Sequence, residues 1–280
     1  MAQPLQNITI SAPGFAGINT QDAPLLQEPS FAAQANNCII DKEGRIASRK
    51  GYTMVSTNGP AVLGSSDGIE SIGEFIQVDG TKIVFSFGND KIFSGTTTLT
   101  DITASLTVTA NNWSMASLAN MFFMFQRGHA PLVYDAATSA LTTIAAHASA
   151  AGTPPQAHAC LAAYGRIWAG DKADNKQTLY WSDSLDGVDW SGGSSGSLDL
   201  TTVWPGGFDE IITLSAHNDF LIILGKRSIL VYSGASDPAN MTLDDTILNI
   251  GCVGRDAIQS TGKDILFLDF SGVRSLARTI

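Results

Sequence analysis

From about Gly68 onward the chain repeats one pattern of apolar and polar positions. A β-like run enters a turn rich in Gly, Asn or Asp. An almost wholly apolar run follows, then a second polar turn and a third run. The copies read "GEFIQVDGTKIVFSFGNDKIFSG", "SMASLANMFFMFQRGHAPLVYD", "HACLAAYGRIWAGDKADNKQTLYWSD", "ITLSAHNDFLIILGKRSILVYSG" and "AIQSTGKDILFLDFSGVRSLAR". Turn residues between β-branched and aromatic runs predict hairpins. The middle runs start at Ile83, Met121, Arg166, Phe220 and Ile265, which spaces them 38, 45, 54 and 45 residues apart. "TDITA", "LTTIA", "GSLDL" and "MTLDDTIL" fit the gaps as fourth, outer strands.

A repeat of about 40–50 residues built from four strands is the signature of a β-propeller blade. The middle runs are apolar at successive positions, which predicts strands buried on both faces. The expected fold is therefore all-β, with a propeller-like body of about five blades over residues 61–280. An N-terminal arm, a short helix and a hairpin are expected over residues 1–60. A β-sandwich of hairpins is the alternative. The recurrence of whole three-strand units favours the propeller. The fifth unit stops just past its third strand, so either N-terminal residues complete the ring or this is the front part of a longer chain.

Charge narrows the function. The 280 residues carry a net charge of -10, and only 15% are charged, well under the usual ~25%. A nucleic-acid binder clusters Lys and Arg to neutralise phosphates, whereas the 16 basic residues here are scattered and "EGRIASRK" is the one modest cluster. Large surfaces that need no solvation suit burial between subunits. Cys38, Cys160 and Cys252 are far apart and fit no metal-ligand spacing, so they read as reduced, buried thiols. "MAQPLQNITI" lacks a basic segment followed by an apolar run, and runs such as "FLIIL" are too short to cross a bilayer. The expectation is a protein with no membrane span, made in the cytoplasm.

Candidate chemistry is sparse. His129, His147, His158 and His217 form no HxH or HExxH arrangement. "YWSDSLDGVDWSGG" carries Asp183, Asp186 and Asp189 between Trp181 and Trp190. It lacks the order of an EF-hand loop and falls one residue short of the Asp-containing hairpin turn of sialidase-type propellers, so it reads as structural. Glu70, Glu74 and Glu210 are the acids that would have to meet on a propeller axis to act as a glycosidase pair, roughly 5 Å apart in a retaining enzyme. The serine-rich "DWSGGSSGS" has no nucleophile-elbow context. Trp113, Trp168, Trp181, Trp190 and Trp204 read as core. The expectation is no enzyme, no cofactor and no metal.

The N-terminal stretch has a different character. Pro13, Pro24 and Pro29 predict an extended arm. "PSFAAQANN" predicts a short helix with Ser30 as N-cap and Asn36 or Asn37 at its end. "CIIDKEGRIAS" predicts a hairpin turning through Asp41 to Gly44. Ile39, Ile40 and Ile46 are too few for a core of their own, since an isolated hairpin is marginal. They need cover from the chain's own body or from a neighbouring subunit.

The run "PGFAGINTQDAPLLQEPSFAAQANNCIIDKEGRIASRKGYTMV" resembles the opening of the podovirus tail nozzle family, also called tail tubular protein B or phage DNA-stabilisation protein. The family's closing "G.l..RpGy" is matched by Gly44, Ile46, Arg49, Gly51 and Tyr52. "TLYWSDSLDGVDW" and "FLIILGKRSILVYSG" followed by "IGCVGRDAIQSTGKDILFLDFSGVRSL" are also similar. The resemblance implies a structural virion protein of the tail, assembled as a homohexameric ring below the portal and the tail adaptor protein. It also implies contact with tail fibre or tailspike proteins, and phage DNA passing through the lumen without specific binding. Pro24, Leu25, Leu26, Pro29, Phe31, Arg49 and Tyr52 become the candidate subunit interface. Family members continue into tail-tip and fibre-docking domains, which this sequence lacks. The competing expectation is a tail-associated propeller that binds or cleaves polysaccharide.

Overall fold

A computed structural model describes residues 16–28, 30–40, 45–53, 68–109 and 112–278. The chain divides into two compact units, Met1–Val55 and Ser56–Ile280. The architecture is all-β, and among the described residues the only helical turns are three 3-10 pieces, at Ile144–Ala146, Pro238–Asn240 and Leu276–Arg278.

In the N-terminal unit, β1 (Gly17–Ile18) pairs in parallel with β2 (Phe31–Ala32). The hairpin is formed by β3 (Cys38–Ile40) and β4 (Ile46–Ser48), with Cys38 opposite Ser48 and Ile40 opposite Ile46. Its expected turn through Asp41 to Gly44 lies outside the described residues, as do Pro13 and Pro29.

Two local expectations fail here. "PSFAAQANN" makes no helix. The carbonyls of Ser30 and Ala32 accept the amides of Ala16 and Asn19 at 2.7 and 3.1 Å. A stretch this short gains too little from helix nucleation to compete with bonds to a second segment. Pro24 does not hold its stretch extended either. It occupies the second position of a turn closed by Leu26 N–H on the Ala23 carbonyl at 2.8 Å, a position whose φ suits proline.

The described residues of the second unit form five consecutive antiparallel sheets. The first holds β5 (Ser71–Ile76), β6 (Lys82–Gly88), β7 (Lys91–Ser94) and β8 (Thr100–Asp101). The second holds β9 (Ser114–Leu118), β10 (Met121–Phe125), β11 (Leu132–Asp135) and β12 (Ala140–Thr143). The third holds β13 (Ala157–Ala163), β14 (Arg166–Lys172), β15 (Thr178–Trp181) and β16 (Gly196–Asp199). The fourth holds β17 (Ile211–His217), β18 (Phe220–Gly225), β19 (Ser228–Ser233) and β20 (Thr242–Leu248). The fifth has three strands, β21 (Ile258–Ser260), β22 (Ile265–Asp269) and β23 (Gly272–Ser275).

Tight turns make these meanders. Asn120, Asn218 and Asp219 adopt φ of 62, 47 and 66° in the turns between first and second strands, the left-handed region that short polar side chains tolerate.

The core lies between sheets. Successive residues of one middle strand serve opposite neighbours, as a period of two requires. Phe122 and Met124 of β10 join Phe75, Phe85, Phe87 and Ile92 of the first sheet. Phe123 and Phe125 join Ile167 and Ala169 of the third. Likewise Leu221 and Ile223 of β18 pack on Trp168, Leu179 and Trp181, while Ile222 and Leu224 pack on Ile265 and Phe267 of the fifth sheet. Each fully buried Phe or Ile is worth about 1.5–3 kcal/mol of transfer free energy, so the stacking of sheets in chain order is strongly held. Among the described residues the fifth sheet buries one face. Leu266, Leu268 and Val273 on its other face are 38%, 41% and 75% exposed.

Candidate functional site

Two surfaces stand out, one on each unit. On the N-terminal unit the large apolar side chains are turned to water. Leu25 is 98% exposed, Leu26 80% and Tyr52 82%. Pro24 and Arg49 are exposed and Phe31 is half-buried. Just ahead of the turn at Pro24, Asn19 Oδ1 accepts the amides of Gln21 and Asp22 at 3.0 and 3.3 Å. Leu25 and Leu26 sit in the turn that the Leu26 amide closes on the Ala23 carbonyl. The Arg49 guanidinium lies 5.4 Å from the centre of the Tyr52 ring, a cation–π arrangement. Of the expected interface residues, Pro24, Leu25 and Leu26 share one turn, Arg49 and Tyr52 touch, and Phe31 belongs to β2. Pro29 lies outside the described residues.

On the second unit, charged and polar side chains cluster where the first strands begin. Arg255, in the loop before β21, is 8% exposed. Its Nη1 donates to the carbonyls of Asn112 and His158, both at 3.2 Å, and its Nη2 donates to the side-chain oxygen of Asn112. Its Nε and Nη2 grip the Asp256 carboxylate at 2.8 and 2.9 Å. One guanidinium of the fifth sheet thereby ties down the entries to the second and third sheets. Two more ties run in parallel. Arg127, after β10, pairs with buried Asp171 of β14. Burial pushes the Asp171 carboxyl up and outweighs that ion pair. Lys176 pairs with Glu210 at 2.8 Å, with Lys226 3.8 Å away. The hydrogen bond from Lys176 holds Glu210 below its ordinary value.

A cleft of about 580 Å³ opens beside Arg255, lined among others by Glu70, Glu74, Ser71, Asn112, Ser114 and Asp256. The structure thus brings Glu70 and Glu74 to one cleft. Glu210 does not line it and is taken up by its lysines. Glu74 is itself bridged to Lys82 at 2.8 Å.

The other candidates serve local structure. Asp183 Oδ1 accepts both the amide and the hydroxyl of Ser194 at 2.8 Å, and the amide bond chiefly lowers its carboxyl. Asp189 Oδ1 accepts the amides of Ser191 and Gly192, and Asp186 Oδ1 that of Val188. These carboxylates hold turns. His147 approaches Asp135 at 3.7 Å, and His129 packs beside Trp113 with ring centres 5.8 Å apart. Trp113, Trp168, Trp181 and Trp204 are 2%, 0%, 8% and 3% exposed, so their rings offer no open stacking face. Among the described residues no group of three metal-ligating side chains occurs. No helix among them is long and apolar enough to cross a membrane. The thiols of Cys38, Cys160 and Cys252 are free, but only Cys252 is buried as expected, while Cys38 and Cys160 are half-buried.

Arg255, Asn112, Gln126 and His158 do not stand out in the sequence as a group. No short motif joins them, and the periodicity that places the strands carries no information about which loops meet.

No family model matches this chain, and no curated protein is significantly similar to it. Among solved structures, it is similar to the extracellular domain of a hybrid two-component system from B. thetaiotaomicron, with a TM-score of 0.48 and 13% identity over 85% of this chain. It is also similar to the CNH domain of AfRom2, with a TM-score of 0.41 and 11% identity over 88% of this chain and 70% of that one. A third similar structure is the extracellular domain of a one-component system from B. thetaiotaomicron, with a TM-score of 0.41 and 13% identity over 76% of this chain. The chain spans only 31% and 32% of the two B. thetaiotaomicron chains.

Proposed function

We propose that this chain is a structural protein of a short-tailed phage virion, with no enzymatic role. In this reading the five sheets are blades of a propeller-like body, and the N-terminal unit is the element through which copies join as the ring of the tail nozzle. The observation that carries the reading is the exposure of Leu25, Leu26 and Tyr52. They lie in the same arm whose sequence resembles the tail nozzle family, and apolar surface held in water calls for a partner. A ring formed by such an arm uses heterologous contacts, in which one patch meets a different patch on the next copy. A net charge of -10 suits a lumen that lets DNA pass without gripping it. The ring would sit below the portal and the adaptor and carry the fibre or tailspike proteins.

Leu25→Asp combined with Leu26→Asp tests this by light scattering. The natural chain should form a ring-sized species, alone or with the portal–adaptor complex, and the variant should fold yet stay monomeric. A natural chain that is monomeric in both settings contradicts the proposal.

The second reading, a tail-associated module that binds or cleaves polysaccharide, is favoured by one feature, the cleft that gathers Glu70, Glu74 and Asp256. Release of oligosaccharide from host polysaccharide, abolished by Glu70→Gln, would support it over the ring.

A further inference from the structure

The Arg255 network contains a histidine whose protonation state follows from its neighbours. Gln126 Nε2 donates to the Asn112 carbonyl at 2.7 Å, which fixes the orientation of the amide. Gln126 Oε1 then faces the Arg127 amide at 2.9 Å and His158 Nδ1 at 2.8 Å. An amide oxygen only accepts, and it lies closer to Nδ1 than the Arg255 Nη1 donor at 3.4 Å, so His158 carries its proton on Nδ1 and is bare at Nε2. The neutral ring is thus ordered by the same groups that receive Arg255.

We propose that this network is an acid-sensitive latch: a proton on Nε2 of His158 releases Arg255, and with it the loop segment at residues 254–256, from the second and third sheets. The reasons are burial and, after it, charge. Arg255 stands against His158 from the loop, and Arg127 from the turn after β10. Asp256 is the facing carboxylate, but its side chain is 67% exposed and already committed to Arg255. Asp171 on β14 is paired with Arg127, so these two charges largely offset each other. Cys160 gives no negative charge, because burial pushes its thiol up to about 11. A proton on His158 therefore places positive charge directly beside the Arg255 guanidinium, whose Nη1 lies 3.4 Å from the ring, with the solvated Asp256 carboxylate as the facing counter-charge.

Burial, then Arg255 and Arg127, bring the imidazole down from 6.5 to about 4. Once the loop swings out, the imidazole regains water and its ordinary value. The latched state binds fewer protons than the open one between those limits. Its stability is complete above about pH 6.5 and falls as pH drops toward 4, with opening rising at most about tenfold per pH unit.

Hydrogen–deuterium exchange on the intact chain, corrected for intrinsic rates, reads the opening directly. Between pH 7.5 and 4.5 the peptide holding residues 254–256 should open about 10- to 100-fold more often, while β18 stays protected. His158→Gln should remove that dependence. Arg255→Lys should leave the loop open already at pH 7.5, because an ammonium cannot reproduce the forked contacts. An acid response retained in His158→Gln, or equal loop protection at both pH values in the natural chain, overturns the latch. If His158→Gln does not fold, Arg255→Lys decides, and a loop as protected as in the natural chain at pH 7.5 counts against the proposal. Titration of His158 near 6.5 in the native protein, followed by NMR, does so as well.

Discussion

Arg255 Nη1 lies 3.2 Å from the backbone carbonyl oxygen of Asn112, although 143 residues separate the two. The contact links the last sheet to the second without passing through the apolar interfaces between. Arg255→Ala removes the donors from the carbonyls of Asn112 and His158 and opens a buried hole. We expect a loss of about 2–4 kcal/mol in urea unfolding, since breaking a buried charged hydrogen-bond set from one side strands its partners. Arg255→Lys should recover only part of it.

Gly187 tests how closely the second and third sheets are keyed together. A Cβ there would come within 2.3 Å of the Phe123 ring, and Phe123 is wholly buried among Phe125, Ile167 and Ala169. The ring cannot swing aside as a flexible chain end would. Gly187→Ala should destabilise by about 1–3 kcal/mol, the usual range for overpacking. Gly254→Ala is the control, because a methyl group placed there meets nothing within 4 Å, and its melting temperature should be unchanged.

Asp269 sets an acid limit separate from that of His158. Burial alone would raise its carboxyl, but bonds from the Ser271 hydroxyl at 2.6 Å, the Gly251 amide at 3.3 Å and Arg274 Nε at 3.0 Å hold it far below the ordinary 3.8. A carboxyl lowered by folding contributes stability that is present above its unfolded value and is lost as pH falls beneath it. Unfolding free energy should therefore drop below about pH 4, and Asp269→Asn should flatten that drop. At pH 7 the variant should cost about 1–3 kcal/mol, because the amide turns donors toward donors.

The parts of this fold that are legible in the sequence are those fixed by neighbours in the chain. Met121, Arg166, Phe220 and Ile265 open middle strands as their pattern predicts, and the first middle strand begins at Lys82 beside the expected Ile83. Asn120 and Asn218–Asp219 announce their turns by side-chain chemistry, and "MFFMF" and "FLIIL" announce strands covered on both faces. The helix expected after Pro29 fails because Phe31–Ala32 finds a partner in Gly17–Ile18, a choice made by a segment more than ten residues away. The same limit hides the Arg255 network. Asn112 and His158 receive Arg255 through backbone carbonyls, which every residue possesses, so no residue type marks them. Of the three glutamates that a glycosidase pair would have had to draw on, Glu70 and Glu74 share β5 and its entry and thus one cleft. Glu210, at the start of the fourth sheet, is claimed by Lys176.

The central claim is that copies of this chain join through the N-terminal arm into a ring of the phage tail. Electron-microscopic class averages of the purified chain mixed with the portal–adaptor complex test it most directly. The account predicts six-fold rings seated on the complex, absent when Leu25 and Leu26 are both changed to Asp. Single, unattached particles for the natural chain, or rings that persist in the double variant, would contradict it.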